Sequence, residues 1–234
     1  MQYAIVTGAT QGIGKAIAEK LLNEGFAIAV CSRSTERINS LQEEWMILFP
    51  DSLIKYYCAD LANKNEVEYF GKMILIDFPQ IDILVNNAGA FLPGNIADEP
   101  EGLLENLINI NLFSAYYLTR LLLPFIKVKK KGHIFNMCSI ASLKAYPNGG
   151  AYSISKYALL GFSDNLRLEL MPYNIKVTAL CPGATFTPSW AEAGIEPNRI
   201  MEANDIANML WAAYCLSEQA NVEMLVMRPV KGDL

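Results

Sequence analysis

Short apolar runs recur along the chain at residues 3–6, 26–31, 53–58, 81–85, 133–138, 175–181 and 222–227, and each reads as a strand. The first shows no alternation of apolar with polar residues, the pattern of a parallel strand buried on both faces. Amphipathic stretches between the runs predict helices over residues 15–23, 35–49, 63–76, 100–127, 150–171 and 205–216. The earliest carries Ile17, Leu21 and Leu22 on one side and stops at Gly25. Residues 100–127 hold Pro124 near their end and two asparagines, Asn109 and Asn111, among apolar neighbours. Asparagine is a poor helix former and a buried one needs partners, so a freed carbonyl or a water is expected beside one of them. Phe113, Tyr116 and Tyr117 are expected to pack or to form an interface. Residues 186–197, with Trp190, have little pattern of their own and make a candidate lid.

The first strand, the turn after it and the next helix form a β–α–β unit with the second strand. That turn reads Thr7, Gly8, Ala9, Thr10, Gln11, Gly12, Ile13, Gly14. Glycine there permits a tight turn and lets a phosphate approach the amides at a helix start, as at a dinucleotide site. Gly14, Lys15 and Ala16 do not make a nucleoside-triphosphate loop, because Ala16 lacks the hydroxyl that would ligate magnesium and the glycine spacing is wrong. The second strand ends Cys31, Ser32, Arg33, Ser34, without the acid that would accept from the ribose 2′-hydroxyl of NAD. An arginine there suits the 2′-phosphate, so NADP(H) is favoured over NAD(H), with Lys15 as a helper; a solvated Arg33 would look the same. Asp60, after the third strand, either accepts from an adenine amino group or caps the next helix. Asn86, Asn87, Ala88 and Gly89, after the fourth, either pass a ribose closely or form a plain turn.

Bulk properties narrow the picture. The 234 residues allow one large α/β domain or two small ones, and 52% hydrophobic residues suffice for a sizeable core. A formal charge of −5 argues against a nucleic-acid partner. The lysines at 127, 129, 130 and 131 read as a solvated helix end. Five scattered cysteines form no CxxC, and Cys31, Cys58, Cys138 and Cys181 close apolar runs as buried thiols at strand ends would; a reduced, cytoplasmic protein is expected. No leader precedes the first strand and no run is long enough to span a bilayer.

The stretch from Ser139 to Lys156 carries the chemistry. Ser139 ends the fifth strand, and Tyr152 and Lys156 stand one turn apart on a helix starting near Gly150. An ammonium beside a phenol favours the phenolate and makes the phenol a better acid, while Ser139 would hold a substrate oxygen. His133, the only histidine, lies at the far end of its strand, where a structural role is expected. A serine hydrolase is excluded for want of a histidine by the serine and of a GxSxG elbow.

Together the glycine turn, residues 86–89, Asn111, Ser139, Tyr152, Lys156 and the Pro182, Gly183 turn resemble the short-chain dehydrogenase/reductase family over nearly the whole chain. The resemblance implies one Rossmann-type domain over residues 1–234, a doubly wound seven-stranded parallel sheet. It implies Tyr152 as proton donor, Ser139 polarising a carbonyl, Lys156 lowering the tyrosine pKa and binding the nicotinamide ribose, and Asn111 holding a relay water. It adds Leu61 beside Asp60 to the cofactor contacts, and Thr185 and Thr187 at the carboxamide. No metal is called for. Implied substrates are 3-oxoacyl thioesters or, alternatively, small diketones, aldehydes or pterin-like carbonyls; a non-catalytic NADP-binding regulator is the competing reading. An acyl-carrier-protein partner would require a basic patch at the pocket mouth, for which Arg120 and the lysines of 127–131 are candidates. A homodimer or homotetramer is implied. The short segment after Gly183 and the ending MLVMRPVKGDL depart from many relatives.

Overall fold

Seven parallel strands pair in the order β3-β2-β1-β4-β5-β6-β7: Gln2–Thr7 is β1, Phe26–Ser32 β2, Ile54–Cys58 β3, Ile83–Asn86 β4, Gly132–Met137 β5, Ile175–Pro182 β6 and Met224–Met227 β7. The computed structural model describes residues 1–187, 194 and 196–233. The order reverses between β1 and β4, so chain crossing from one half to the other leaves a crevice at the carboxyl ends of these two strands.

Helices cover both faces. Gly12–Asn23 is α1, Thr35–Leu48 α2, Lys64–Asp77 α3, Leu103–Ile108 α4, Ser114–Lys129 α5, Gly150–Leu170 α6 and Ala203–Tyr214 α7. α1 and α7 pack together over one face, burying Ile17, Leu21 and Leu210 against Val6 and Val85. α3 and α5 cover the other, where Phe70, Leu118 and Leu122 meet Ile5 and Leu84. β1 and β4, buried throughout their inner residues, therefore read as uninterrupted apolar runs.

Two features differ from the sequence expectation. The long helix of 100–127 is broken: α4 passes through a π-helical turn, Asn109–Phe113, before α5 begins. The two asparagines, poor helix formers, both lie in this irregular turn. Cys58 is exposed, because β3 is an edge strand; Cys31, Cys138 and Cys181 are buried as expected. Most of the candidate lid, including Trp190, lies outside the described residues. Among the described residues, no helix is long and apolar enough to cross a membrane.

Candidate active site

A cavity of about 850 Å3 opens along the carboxyl edge of the sheet, from the β1–α1 turn and the end of β2 to the start of α6. Its size fits a small-molecule site.

At one end the glycine turn makes a cradle. Gly8 and Gly12 have φ of +64° and +58°, which side chains rarely adopt. A Cβ on Gly14 would lie 2.3 Å from Asn87 Nδ2 and 2.4 Å from the Gly8 carbonyl. α1 begins at Gln11 with no side-chain cap and no acid in its first turn, so its leading N–H groups and dipole face the cavity uncompensated. Gly8, Thr10, Gln11, Gly12, Ile13 and Gly14 all line this part. Thr7 does not. Its buried hydroxyl accepts from the Asn87 and Ala88 N–H groups, both at 2.9 Å, and so ties β1 to the end of β4. Asn87 completes the knot, donating from Nδ2 to the carbonyls of Thr7 and Gly8. The cradle fits a dinucleotide pyrophosphate.

At the end of β2, Ser32 and Arg33 reach the cavity wall, joined by Ser34 and Arg37. Arg37 was not anticipated, although it stands one turn after Arg33 on a helix that Ser34 caps by accepting from the Arg37 N–H. Both guanidinium side chains are exposed and carry the donors a phosphate monoester requires. Lys15 is not a helper: Glu44 holds its ammonium at 2.6 Å, away from this cavity. Asp60 and Leu61 line the adjoining wall. Asp60 accepts from the Ala62 N–H at 3.0 Å, while the cap of α3 is Asn63, so the capping role proposed for Asp60 belongs to its neighbour.

Ser139, Tyr152 and Lys156 meet on the opposite wall. Ser139, two residues past the end of β5, caps a short 3-10 turn, Ile140–Ser142, and accepts from the Ala141 N–H at 3.1 Å. Burial pushes the Tyr152 phenol up to about 12, and a hydrogen bond with the Ser139 hydroxyl opposes that rise. Desolvation pulls buried Lys156 down to about 8. Its Nζ donates to the Met137 carbonyl at 2.7 Å and stands 5.9 Å from the Tyr152 ring. The expected acidification of the phenol by Lys156 is therefore not seen in this arrangement. Ala88, Gly89, Pro182, Gly183, Thr185 and Thr187 also line the cavity.

Asn111 lies behind the wall rather than on it. It is 1% exposed and clamps Ala90, and its Nδ2 also donates to Ser155 Oγ at 2.8 Å. Phe91 and Tyr146, on the loops around Tyr152, were missed. Phe91 packs edge-on against the Tyr152 ring, centroids 4.8 Å apart. Neither loop has a periodic signal that would have singled them out. The lysine run lies immediately before β5, at the amino edge, with Lys129 paired to Asp82 and Lys131 to Glu218. It is on the wrong side of the sheet to flank the cavity mouth. The carboxyl-terminal tail does flank it, through Arg228 and Asp233, which pair with each other.

Comparison with known proteins agrees with this architecture. A family profile described as short chain dehydrogenase matches residues 2–197. An uncharacterized oxidoreductase of Staphylococcus aureus is 30% identical over 98% of this chain and 97% of its own, and one of Staphylococcus epidermidis 29% identical with the same coverage. An alcohol dehydrogenase of the archaeon Thermococcus sibiricus, solved with 5-hydroxy-NADP, superposes with a TM-score of 0.90 at 26% identity, covering 100% of this chain and 99% of that one. Serine dehydrogenase of Escherichia coli superposes at 0.85, with 28% identity and full coverage of both. With its parallel sheet, glycine cradle and serine–tyrosine–lysine wall, the chain belongs to the short-chain dehydrogenase family of NAD(P)-dependent oxidoreductases.

Proposed function

We propose that the protein is an NADP(H)-dependent carbonyl reductase of small molecules. The observation that carries this reading is the convergence of Ser139, Tyr152 and Lys156 on one cavity whose other end bears Arg33 and Arg37. The nicotinamide cofactor would supply the hydride. Gly8, Gly12 and Gly14 and the α1 amino terminus bind the pyrophosphate, and Arg33 and Arg37 the 2′-phosphate.

Ser139 Oγ holds the carbonyl oxygen beside the Tyr152 hydroxyl. As that oxygen takes on alkoxide character, the phenol gives it a proton; a phenol near 12 is fully protonated at neutral pH and remains a stronger acid than an alcohol. Lys156, still largely ammonium at pH 7, stabilises the resulting phenolate by its charge until a solvent proton restores the phenol, and would bind the ribose hydroxyls. Asn111 positions the Ala90–Phe91 segment against the tyrosine.

Among substrates, small ketones, diketones and aldehydes are favoured over thioesters on an acyl carrier protein. The lysine run that an acidic carrier would need is at the amino edge of the sheet. The names of the similar alcohol and serine dehydrogenases support small polar alcohols and their carbonyl partners. The test follows NADPH absorbance with purified protein against a diketone, an aromatic aldehyde, a small hydroxy acid read in the oxidative direction, and an acetoacetyl thioester, with NADH in parallel. Turnover of a small carbonyl compound with NADPH is expected. Turnover of the thioester alone overturns the substrate class, and an NADH preference overturns the cofactor assignment.

A further inference from the structure

Two cysteines lie directly beneath the Ser139–Tyr152–Lys156 wall and take no part in the chemistry above. β5 and β6 pair in register up to Met137 opposite Leu180; Cys138 follows directly on the end of β5, and Cys181 is the next residue of β6. Both are buried, at 2% and 0% exposure, and belong to one packed cluster with Leu159. Cys138 also lines the cavity, whereas Cys181 does not. Neighbouring strands run ~4.8 Å apart, inside the ~4.4–6.8 Å Cα separation that a disulfide spans.

We propose that Cys138 and Cys181 form an oxidisable dithiol that hydroperoxides close to a disulfide, switching the site off. The Cys138 Sγ first attacks the distal peroxide oxygen; the O–O bond breaks, the other oxygen leaves as water or alcohol, and Cys138 becomes a sulfenic acid. The Cys181 sulfur then attacks the Cys138 sulfur, the S–O bond breaks, and the hydroxyl departs as water with the Cys181 proton. Two thiols are oxidised and one peroxide is reduced.

The surroundings fit these roles. The Cys181 thiol hydrogen-bonds Cys138, and the Lys156 ammonium is nearby, so Cys138 is held below the usual thiol range while Cys181 is raised. The attacking sulfur is thus also the one that reaches the cavity. The bond would cost catalysis directly. Cys138 precedes Ser139 in the chain, and Lys156 hangs from the carbonyl of Met137 just before the pair. A shift of ~1 Å at such positioned groups can cost ~100-fold in rate. Cross-strand disulfides strained by close pairing are readily reduced, which suits a reversible device.

The pair itself stands on geometry alone, whereas its effect on turnover rests on the function proposed above. The test uses a Cys58→Ser, Cys215→Ser background, because those two exposed thiols would otherwise react first. After hydrogen peroxide and thiol blocking, digestion should yield one peptide pair joining Cys138 to Cys181, two hydrogens lighter than its parts. NADPH-dependent turnover should fall at least ~10-fold and return with dithiothreitol. Cys181→Ala should keep its basal rate, form no cross-link, and let dimedone trap a sulfenic acid on Cys138. No cross-link under peroxide that oxidises Cys58 and Cys215 in the parent overturns the proposal, as does a cross-linked enzyme of undiminished rate. A cross-link in a protein that reduces none of the test carbonyls upholds the dithiol, with loss of NADPH fluorescence on oxidation as its readout, and sinks the functional reading instead.

Discussion

Asn111 grips both backbone polar groups of Ala90: its Oδ1 accepts from the N–H at 2.8 Å, and its Nδ2 donates to the carbonyl at 3.1 Å. The amide is fixed in turn by Ser155 on α6, one residue before Lys156. Loop after β4, π-turn and catalytic helix are joined through this one side chain. Asn111→Leu should cost about 2 kcal/mol in urea unfolding, from partly buried groups left unpaired. It should also lower kcat, because Phe91, next to Ala90, packs on Tyr152.

Tyr152→Phe removes the proton donor but leaves the ring and its contact with Phe91. Turnover should disappear, while NADPH fluorescence titration should give a dissociation constant within about twofold of the parent. Appreciable residual turnover would dismiss the acid role.

Arg33→Asp should move the ratio of kcat/KM for NADPH over NADH by at least about tenfold toward NADH, since a hydrogen bond to a charged group contributes ~1.5–3 kcal/mol. Arg37→Ala should move it in the same direction by less. A ratio that does not change with either variant would remove the phosphate from this end of the cavity.

Gly14→Ala tests the cradle. The added methyl meets Asn87 Nδ2 and the Gly8 carbonyl, neither of which can yield without breaking the Thr7–Asn87 knot. Loss of NADPH binding together with a lowered Tm is expected. Unaltered binding would separate the glycine turn from the cofactor.

His133 makes stability depend on pH. Thr178 Oγ1 donates to the Val222 carbonyl and so accepts from His133 Nε2, which leaves Nδ1 unpaired inside the protein. Burial, helped by Lys176, drives its pKa down to about 3. The unfolded chain, titrating near 6.5, binds the extra proton first, so stability falls as pH drops through 6.5 by up to ~1.4 kcal/mol per unit. Between pH 6.5 and 5, before carboxylates titrate, the unfolding free energy from urea titrations should decline toward that slope, and His133→Gln should flatten it.

Much of this was legible in the sequence because it is local or periodic. Unbroken apolar runs announced buried parallel strands, and glycines in the first turn announced a cradle. The asparagines of 109 and 111 signalled a freed carbonyl or a water within a continuous helix, and the π-turn at that place was not anticipated. What escaped depended on partners distant in the chain. Thr7 looked like a cofactor contact, yet its hydroxyl serves Asn87, and Lys15 looked available until Glu44 of α2 came beside it. Cys58 looked buried because nothing in its own strand says that the strand lies at the sheet edge. Phe91 and Tyr146 sit on loops whose positions only the packed sheet defines.

The place of β1 between β2 and β4 bears on how the chain is born. β2 and β3 can join β1 as they leave the ribosome, but the other edge of β1 must wait for Ile83 and its neighbours. At roughly 5–20 residues per second, that wait lasts several seconds. During it, a strand made of Tyr3, Ala4, Ile5 and Val6 presents unpaired amides and apolar side chains to whatever is near. The strand that anchors the finished sheet is, for the nascent chain, its most exposed liability.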